Sequence, residues 1–224
     1  MNTSLLTSLA DLRAARELVG PVIQITPVHR SESISRLAGR PVVLKSEYEQ
    51  RTGSFKIRGA YNRISRLPPG CDVVAASAGN HAQGVALAAT LTGRRSTIFM
   101  PRGAAIPKTD ATRNYGADVR LEGEAVDDAM VAAKAFAHET GAVWVPPFDD
   151  PDIIAGQGTL GLEVIEQVPD AEVVVVPVGG GGLLGGVAAA IKLTRPEIRV
   201  VGVEAAGAPS LSRALAEGHP VRLE

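Results

Sequence analysis

Lys56 stands in the run Thr52-Gly53-Ser54-Phe55-Lys56-Ile57-Arg58-Gly59-Ala60. An unprotonated amine attacks a carbonyl carbon to form a Schiff base, and a freed amine can take a proton as a base. The run also suggests how the amine is prepared. Ser54 can cap a helix from Phe55 to Ile64, and Gly53 allows a tight entry. Lys56 then falls in the first turn, beside the positive end of the helix dipole. That field and a dry pocket would both lower its affinity for protons. Phe55 is placed to pack at such a site and Arg58 to anchor the helix. Glu47 and Tyr48, just upstream, read as structural.

Two further blocks follow in order. Ser77-Ala78-Gly79-Asn80-His81 comes after the apolar run Val73–Ala76 and before a helix pattern, Ala82–Leu91. A strand-to-helix turn at the carboxyl edge of a sheet is a favoured ligand position, and its free N–H groups suit a carboxylate. Gly179-Gly180-Gly181-Gly182 then separates an apolar run from a helix pattern, Leu183–Thr194. Bare amides at a helix start bind phosphate without a basic side chain. The run is no Walker loop, since no Lys-Ser/Thr follows, and it does not match G-x-G-x-x-G cleanly. Each block alone also fits a bland reading: a solvated lysine, a capped turn, a flexible glycine turn. An amine, a polar loop and a phosphate cradle together are what a protein needs to hold pyridoxal phosphate (PLP).

Only a fold can bring these blocks together. Strands are predicted at Val42–Glu47, Val73–Ser77, Ser96–Met100, Asp118–Leu121, Ala142–Val145, Glu172–Val178 and Arg199–Glu204. Val173-Val174-Val175-Val176, apolar on both faces, reads as a central parallel strand. Helix patterns at Pro107–Tyr115, Asp127–Thr140 and Pro209–Glu217 stop at Gly116, Gly141 and Gly218. Such alternation predicts an α/β fold with a parallel sheet covered by helices. The 224 residues are 45% hydrophobic with a formal charge of −1. That composition suits a globular chain of one or two domains and gives no reason to expect nucleic acid or a membrane as partner. No apolar run reaches the ~18 residues of a membrane span, and no signal peptide core is evident, so the cytoplasm is expected. Cys71 is the only cysteine, which rules out an internal disulfide; it is expected as a small buried apolar residue.

The order and wording of the three blocks resemble the threonine dehydratase and serine racemase group of PLP enzymes. The resemblance runs from about Ile25 to the C-terminus. It implies fold type II, two three-layer α/β domains with mainly parallel sheets. A small domain, residues 72–147, would be inserted in a large PLP-binding one, residues 1–71 and 148–224. Lys56 would be the catalytic lysine, bound to the cofactor alongside Phe55, Asn80, Gly179, Gly180, Gly181, Gly182 and Leu183. Ser77, Ala78, Gly79, Asn80 and His81 would contact the substrate, with Ser77 and His81 at its carboxylate. The cysteine synthase branch has a different lysine motif and phosphate loop, so Ile57-Arg58-Gly59-Ala60 and four glycines favour the hydroxy-amino-acid branch. Racemases of that branch carry a serine where Ala78 stands. Ala78 has no titratable group, so the resemblance favours dehydration of L-threonine, and of L-serine, to a 2-oxo acid and ammonia. A racemase or related lyase, a silent PLP-binding fragment, and a phosphate-binding module unrelated to PLP are the alternatives. Some relatives bind a divalent cation where Glu204, Ala208 and Ser210 stand, but Ser210 replaces a carboxylate, so no metal is expected. Relatives of this group continue past the position of Glu224 and assemble as dimers or tetramers, so a homo-oligomer is expected.

Overall fold

The computed structural model describes residues 7–221; the outer ends of the expected large domain, 1–6 and 222–224, lie outside the described residues. Helix α1 (Leu9–Val19) starts at a reciprocal cap. The Ser8 hydroxyl accepts from the Asp11 N–H, and the Asp11 carboxylate accepts from the Ser8 N–H. Strands β1 (Val28–Arg30) and β2 (Val43–Lys45) pair antiparallel on either side of helix α2 (Glu32–Ala38) in the chain. Helix α3 (Lys56–Ser65) follows.

Strands β3 (Val73–Ala76), β4 (Ser96–Met100), β5 (Asp118–Leu121) and β6 (Val143–Trp144) form one parallel sheet in the order β5-β4-β3-β6. Its crossovers are helices α4 (Asn80–Leu91), α5 (Ile106–Asn114) and α6 (Val126–Thr140). The sheet is covered on both faces, and its side chains sort by the two-residue period of a strand. Val73, Ala75, Ile98 and Met100 share one core with α3 and α4, through Ile57, Ala82 and Val85. Val74, Ala76 and Phe99 share another with Ala129 and Ala133 of α6.

Helix α7 (Pro151–Gln167), which sequence patterning left unassigned along with α1, β1 and α2, is central. Asp150 caps it, accepting from the N–H groups of Asp152 and Ile153 at 2.9 and 3.1 Å, with Pro151 in the first turn. Every residue from Ile153 to Val164 is buried, as expected of a helix enclosed on all sides. On one flank lies α3. A β-carbon on Gly156 would stand 2.6 Å from the Cα of Gly59, so the two backbones touch. On the other flank lies helix α8 (Gly182–Thr194), where a β-carbon on Gly158 would stand 2.9 Å from the carbonyl oxygen of Gly186.

Strands β7 (Val173–Pro177) and β8 (Arg199–Val203) pair in parallel, and helix α9 (Ser210–Glu217) closes the described chain. Here the expectation of a strand buried on both faces fails. Among the described residues β7 has one strand neighbour, and although Val176 is buried, Val175 is 62% exposed. The predicted strands and helices otherwise match the observed ones to within one or two residues at their ends. Cys71 is half-buried rather than buried.

Gly158→Ala should therefore lower stability by about 1–3 kcal/mol, because the added methyl overfills a backbone contact. Gly207→Ala, where a β-carbon meets nothing within 4 Å, should stay within about 0.5 kcal/mol of wild type. Urea unfolding midpoints of the two variants measure the difference.

Candidate active site

Lys56 is the first residue of α3, and the cap is Phe55 rather than Ser54. The Ser54 hydroxyl instead accepts from the Lys56 N–H at 3.4 Å. Gly53 makes the entry at φ +67°, where a side chain is strained. Lys56 Nζ donates to the carbonyl of Pro147 at 2.6 Å and lies 5.4 Å from the centre of the Phe55 ring. Burial, with no carboxylate at hand, lowers its pKa to about 8. Behind it, Gly84 lets α4 rest on the lysine's own backbone, since a β-carbon there would come 3.1 Å from the Lys56 carbonyl carbon.

The loop after β3 ends on Asn80, which is exposed and begins α4. Its cap, Gly79, has no side chain with which to bond the leading amides of that helix. The Ser77 hydroxyl accepts from the Gly79 N–H at 3.2 Å, which holds the turn. His81 is buried, and its Nε2 lies 3.0 Å from the carbonyl of Val145. Burial foremost, with the nearby Lys56 charge second, lowers the His81 pKa to about 4. Its imidazole is thus neutral at pH 7.

At the third block, Gly181 caps α8 at φ +84° with no side-chain bond. β-Carbons on Gly179 and Gly181 would meet nothing within 4 Å. Gly180 and Gly182 have no such room. A β-carbon on Gly182 would stand 2.8 Å from the carbonyl oxygen of Phe148, and one on Gly180 would overlap the Phe148 ring. The loop is thus packed from behind and open in front. Phe55 and Leu183 meet in one apolar cluster with Val176, Val187 and Ile191, which joins the lysine's helix to the glycine loop.

All three blocks converge on a segment that sequence reasoning missed. Val145 receives His81, Pro147 receives Lys56, and Phe148 backs the glycines. The Pro146-Pro147 pair reads as a chain crossing, but nothing in it signals a carbonyl aimed at an amine. Glu204 is committed elsewhere. Its carboxylate accepts from the N–H groups of Leu211 and Ser212 at 2.6 and 2.9 Å and caps α9. Among the described residues no cluster of three His, Cys, Asp or Glu could hold a metal, and no helix is long and apolar enough to cross a membrane. A cavity of about 480 Å³ opens at the amino edge of the four-stranded sheet, lined by Asp72, Arg95, Ser96 and Arg120, away from these blocks.

The family model for pyridoxal-phosphate-dependent enzymes matches residues 19–224. The chain belongs to that family. An L-threonine ammonia-lyase of Thermotoga maritima is 51% identical over 220 residues, 97% of this chain and 55% of the relative. A threonine deaminase structure from Solanum lycopersicum is 41% identical at a TM-score of 0.94, covering all of this chain and 62% of that one. A maize serine racemase structure is 37% identical at a TM-score of 0.93, covering 97% and 67%. The chain spans about half the length of the Thermotoga maritima relative and of an L-threonine ammonia-lyase of Geobacter sulfurreducens that is 48% identical over 204 residues. Its residues fit the family's cofactor. A half-buried amine would meet the aldehyde, and an open run of glycine amides at a helix start would meet the phosphate.

The low pKa of His81 has a consequence for stability. Between about pH 6.5 and 4 the unfolded chain is protonated at His81 and the folded chain is not. Stability is therefore lost as pH falls through that window, by up to about 3 kcal/mol from this one group. His81→Asn should show a shallower loss between pH 7 and pH 4.5 in denaturant titrations.

Proposed function

We propose that this chain forms the lysine-bearing part of a PLP-dependent ammonia-lyase that converts L-threonine, and L-serine, to a 2-oxo acid and ammonia. The observation that carries the reading is the state of Lys56: a half-buried amine, lowered to about 8, held by the neutral carbonyl of Pro147, next to the Phe148 that backs the glycine loop. The names of the relatives support the substrate class.

When bound, PLP supplies an electron sink for charge that develops at the substrate's α-carbon. The chain's residues do the rest. The amides of Gly179, Gly180, Gly181, Gly182 and Leu183 hold the phosphate, helped by the α8 dipole. Asn80, exposed at the start of α4, would hydrogen-bond the cofactor's ring oxygen, and Phe55 would close the lysine side. The amides of the loop Ser77, Ala78, Gly79, Asn80 and His81 hold the amino acid's carboxylate. The His81 side chain, bonded to Val145, fixes the loop against the segment that carries Pro147. An amine with a pKa near 8 is part neutral at physiological pH, so Lys56 Nζ can take the α-proton. Ala78 offers no proton from the opposite side, which favours loss of the β-hydroxyl over return of the proton to the other face. Residues 72–147 act as a small inserted domain carrying the substrate loop, and residues 1–71 and 148–224 as the part carrying the lysine and the cradle.

A racemase is the second reading, supported by the likeness to maize serine racemase and opposed by Ala78. Lys56→Ala should lower ammonia release from L-threonine by at least about a thousandfold, since both carbonyl capture and proton removal go with the amine. Retained turnover in that variant would refute the assignment. Ala78→Ser should raise D-serine formation relative to pyruvate, measured by chiral chromatography; an unchanged ratio would count against the facial argument.

A further inference from the structure

Behind Lys56 lies a buried charged cluster that no step of the proposed reaction uses. Arg58 is fully buried. Its Nε and Nη2 donate to Glu47 at 2.8 Å each, and its Nη1 and Nη2 donate to Glu163 at 2.6 and 3.0 Å. Nη1 also reaches the Thr159 hydroxyl at 3.2 Å. Glu163 is shared, because its Oε2 also accepts from Lys45 Nζ at 2.5 Å. Lys45 Nζ donates further to the Thr26 carbonyl at 2.7 Å and to Gln167 at 2.8 Å. Two cations face two carboxylates here, and the side chains of Lys45, Glu47 and Glu163 are almost wholly enclosed.

A buried ion cluster is poor evidence for stability, because desolvation cancels much of its attraction and apolar residues often serve as well. Its use lies in geometry. Arg58 sits two residues after Lys56 in α3, and positions two apart on a helix point roughly 200° away from each other. A guanidinium forked between two carboxylates is fixed in plane and direction. Holding Arg58 into the core on one side therefore fixes where Lys56 points on the other. Glu163 sits on α7, the helix that also packs against the glycine loop's helix.

We propose that Glu163 is a positioning residue for Lys56: its carboxylate, shared between Arg58 and Lys45, sets the rotation of α3 and so aims the amine at the Pro147 carbonyl and the cleft. The proposal rests on the reading of Lys56 as the reactive amine. It goes beyond it in assigning a charged group on another helix, one that touches neither substrate nor cofactor, to the control of that amine.

Glu163→Asp keeps the charge but retracts the carboxylate by one methylene, so it cannot span both cations. The test is the pH dependence of Lys56 acylation by acetic anhydride in the cofactor-free chain, read by peptide mass spectrometry with Lys108 and Lys134 as internal references. PLP affinity is measured by absorbance on the same samples, and thermal unfolding midpoints are recorded alongside. Wild-type Lys56 should half-titrate near pH 8. In Glu163→Asp the midpoint should rise by about one pH unit or more as the amine swings toward water, and PLP affinity should fall at least about tenfold. Lys108 and Lys134 should be unchanged. Arg58→Lys, which keeps the charge and loses the fork, carries the same expectations should Glu163→Asp fail to fold. A variant that melts earlier but keeps the wild-type Lys56 midpoint and PLP affinity would overturn the proposal and leave the cluster a support of the fold alone. A wild-type Lys56 that titrates near its ordinary 10.5 would overturn the proposal together with the reading beneath it.

Discussion

The architecture depends on backbone touching backbone along α7. Most helix pairs are kept 8–10 Å apart by their side chains. Here glycines remove that spacer at Gly59 and Gly156 on one flank and at Gly158 and Gly186 on the other. The lysine begins α3 and the glycine loop begins α8, so the two close contacts of α7 set the separation between amine and glycines. Close packing of this kind is unforgiving, since a single methyl group has nowhere to go. The same helix supplies Glu163 to the ion cluster behind Lys56. One buried element thus packs against both ends of the proposed site.

Electrostatics divides cleanly across α3. Behind the helix, four formal charges compensate one another out of water. In front of it, the groups close to Lys56 are neutral: a peptide carbonyl, a phenyl ring and an imidazole held uncharged by burial. A carboxylate in front would raise the lysine's pKa and keep it protonated. Its absence among those contacts is what leaves burial free to lower it. Burial lowers the Lys56 pKa in the same direction as the field expected at a helix start.

Much of this was legible in the sequence, and the reasons are particular. The four-stranded sheet showed itself through short β-branched runs separated by glycine stops, because buried parallel strands must be apolar on both faces. The lysine, loop and glycine blocks were legible because each breaks a local pattern. Helix α7 was not. Its string Ala155-Gly156-Gln157-Gly158-Thr159 carries two glycines that argue against a helix, and only contact with two other backbones explains them. The Asp150-Pro151 start was a readable cap signal that went unused. The Val145–Phe148 segment was invisible for a different reason, since it reaches His81 and Lys56 through carbonyl oxygens, which every residue has. Serine favours the cap position, but the chain begins the helix one residue later and uses the Ser54 hydroxyl on the lysine's own N–H. The Val173–Val176 run is apolar on both faces, and among the described residues β7 pairs only with β8, since composition reports what a strand tolerates and not how many neighbours it has.

The central claim is that one amine among five lysines is set apart by this geometry. The most direct test is to mix the purified chain with PLP, reduce with borohydride and map the modified lysine by mass spectrometry. Stoichiometric modification at Lys56, abolished when inorganic phosphate competes for the glycine loop, is the predicted result. Modification spread over Lys45, Lys108, Lys134 and Lys192, or none at Lys56, would contradict it.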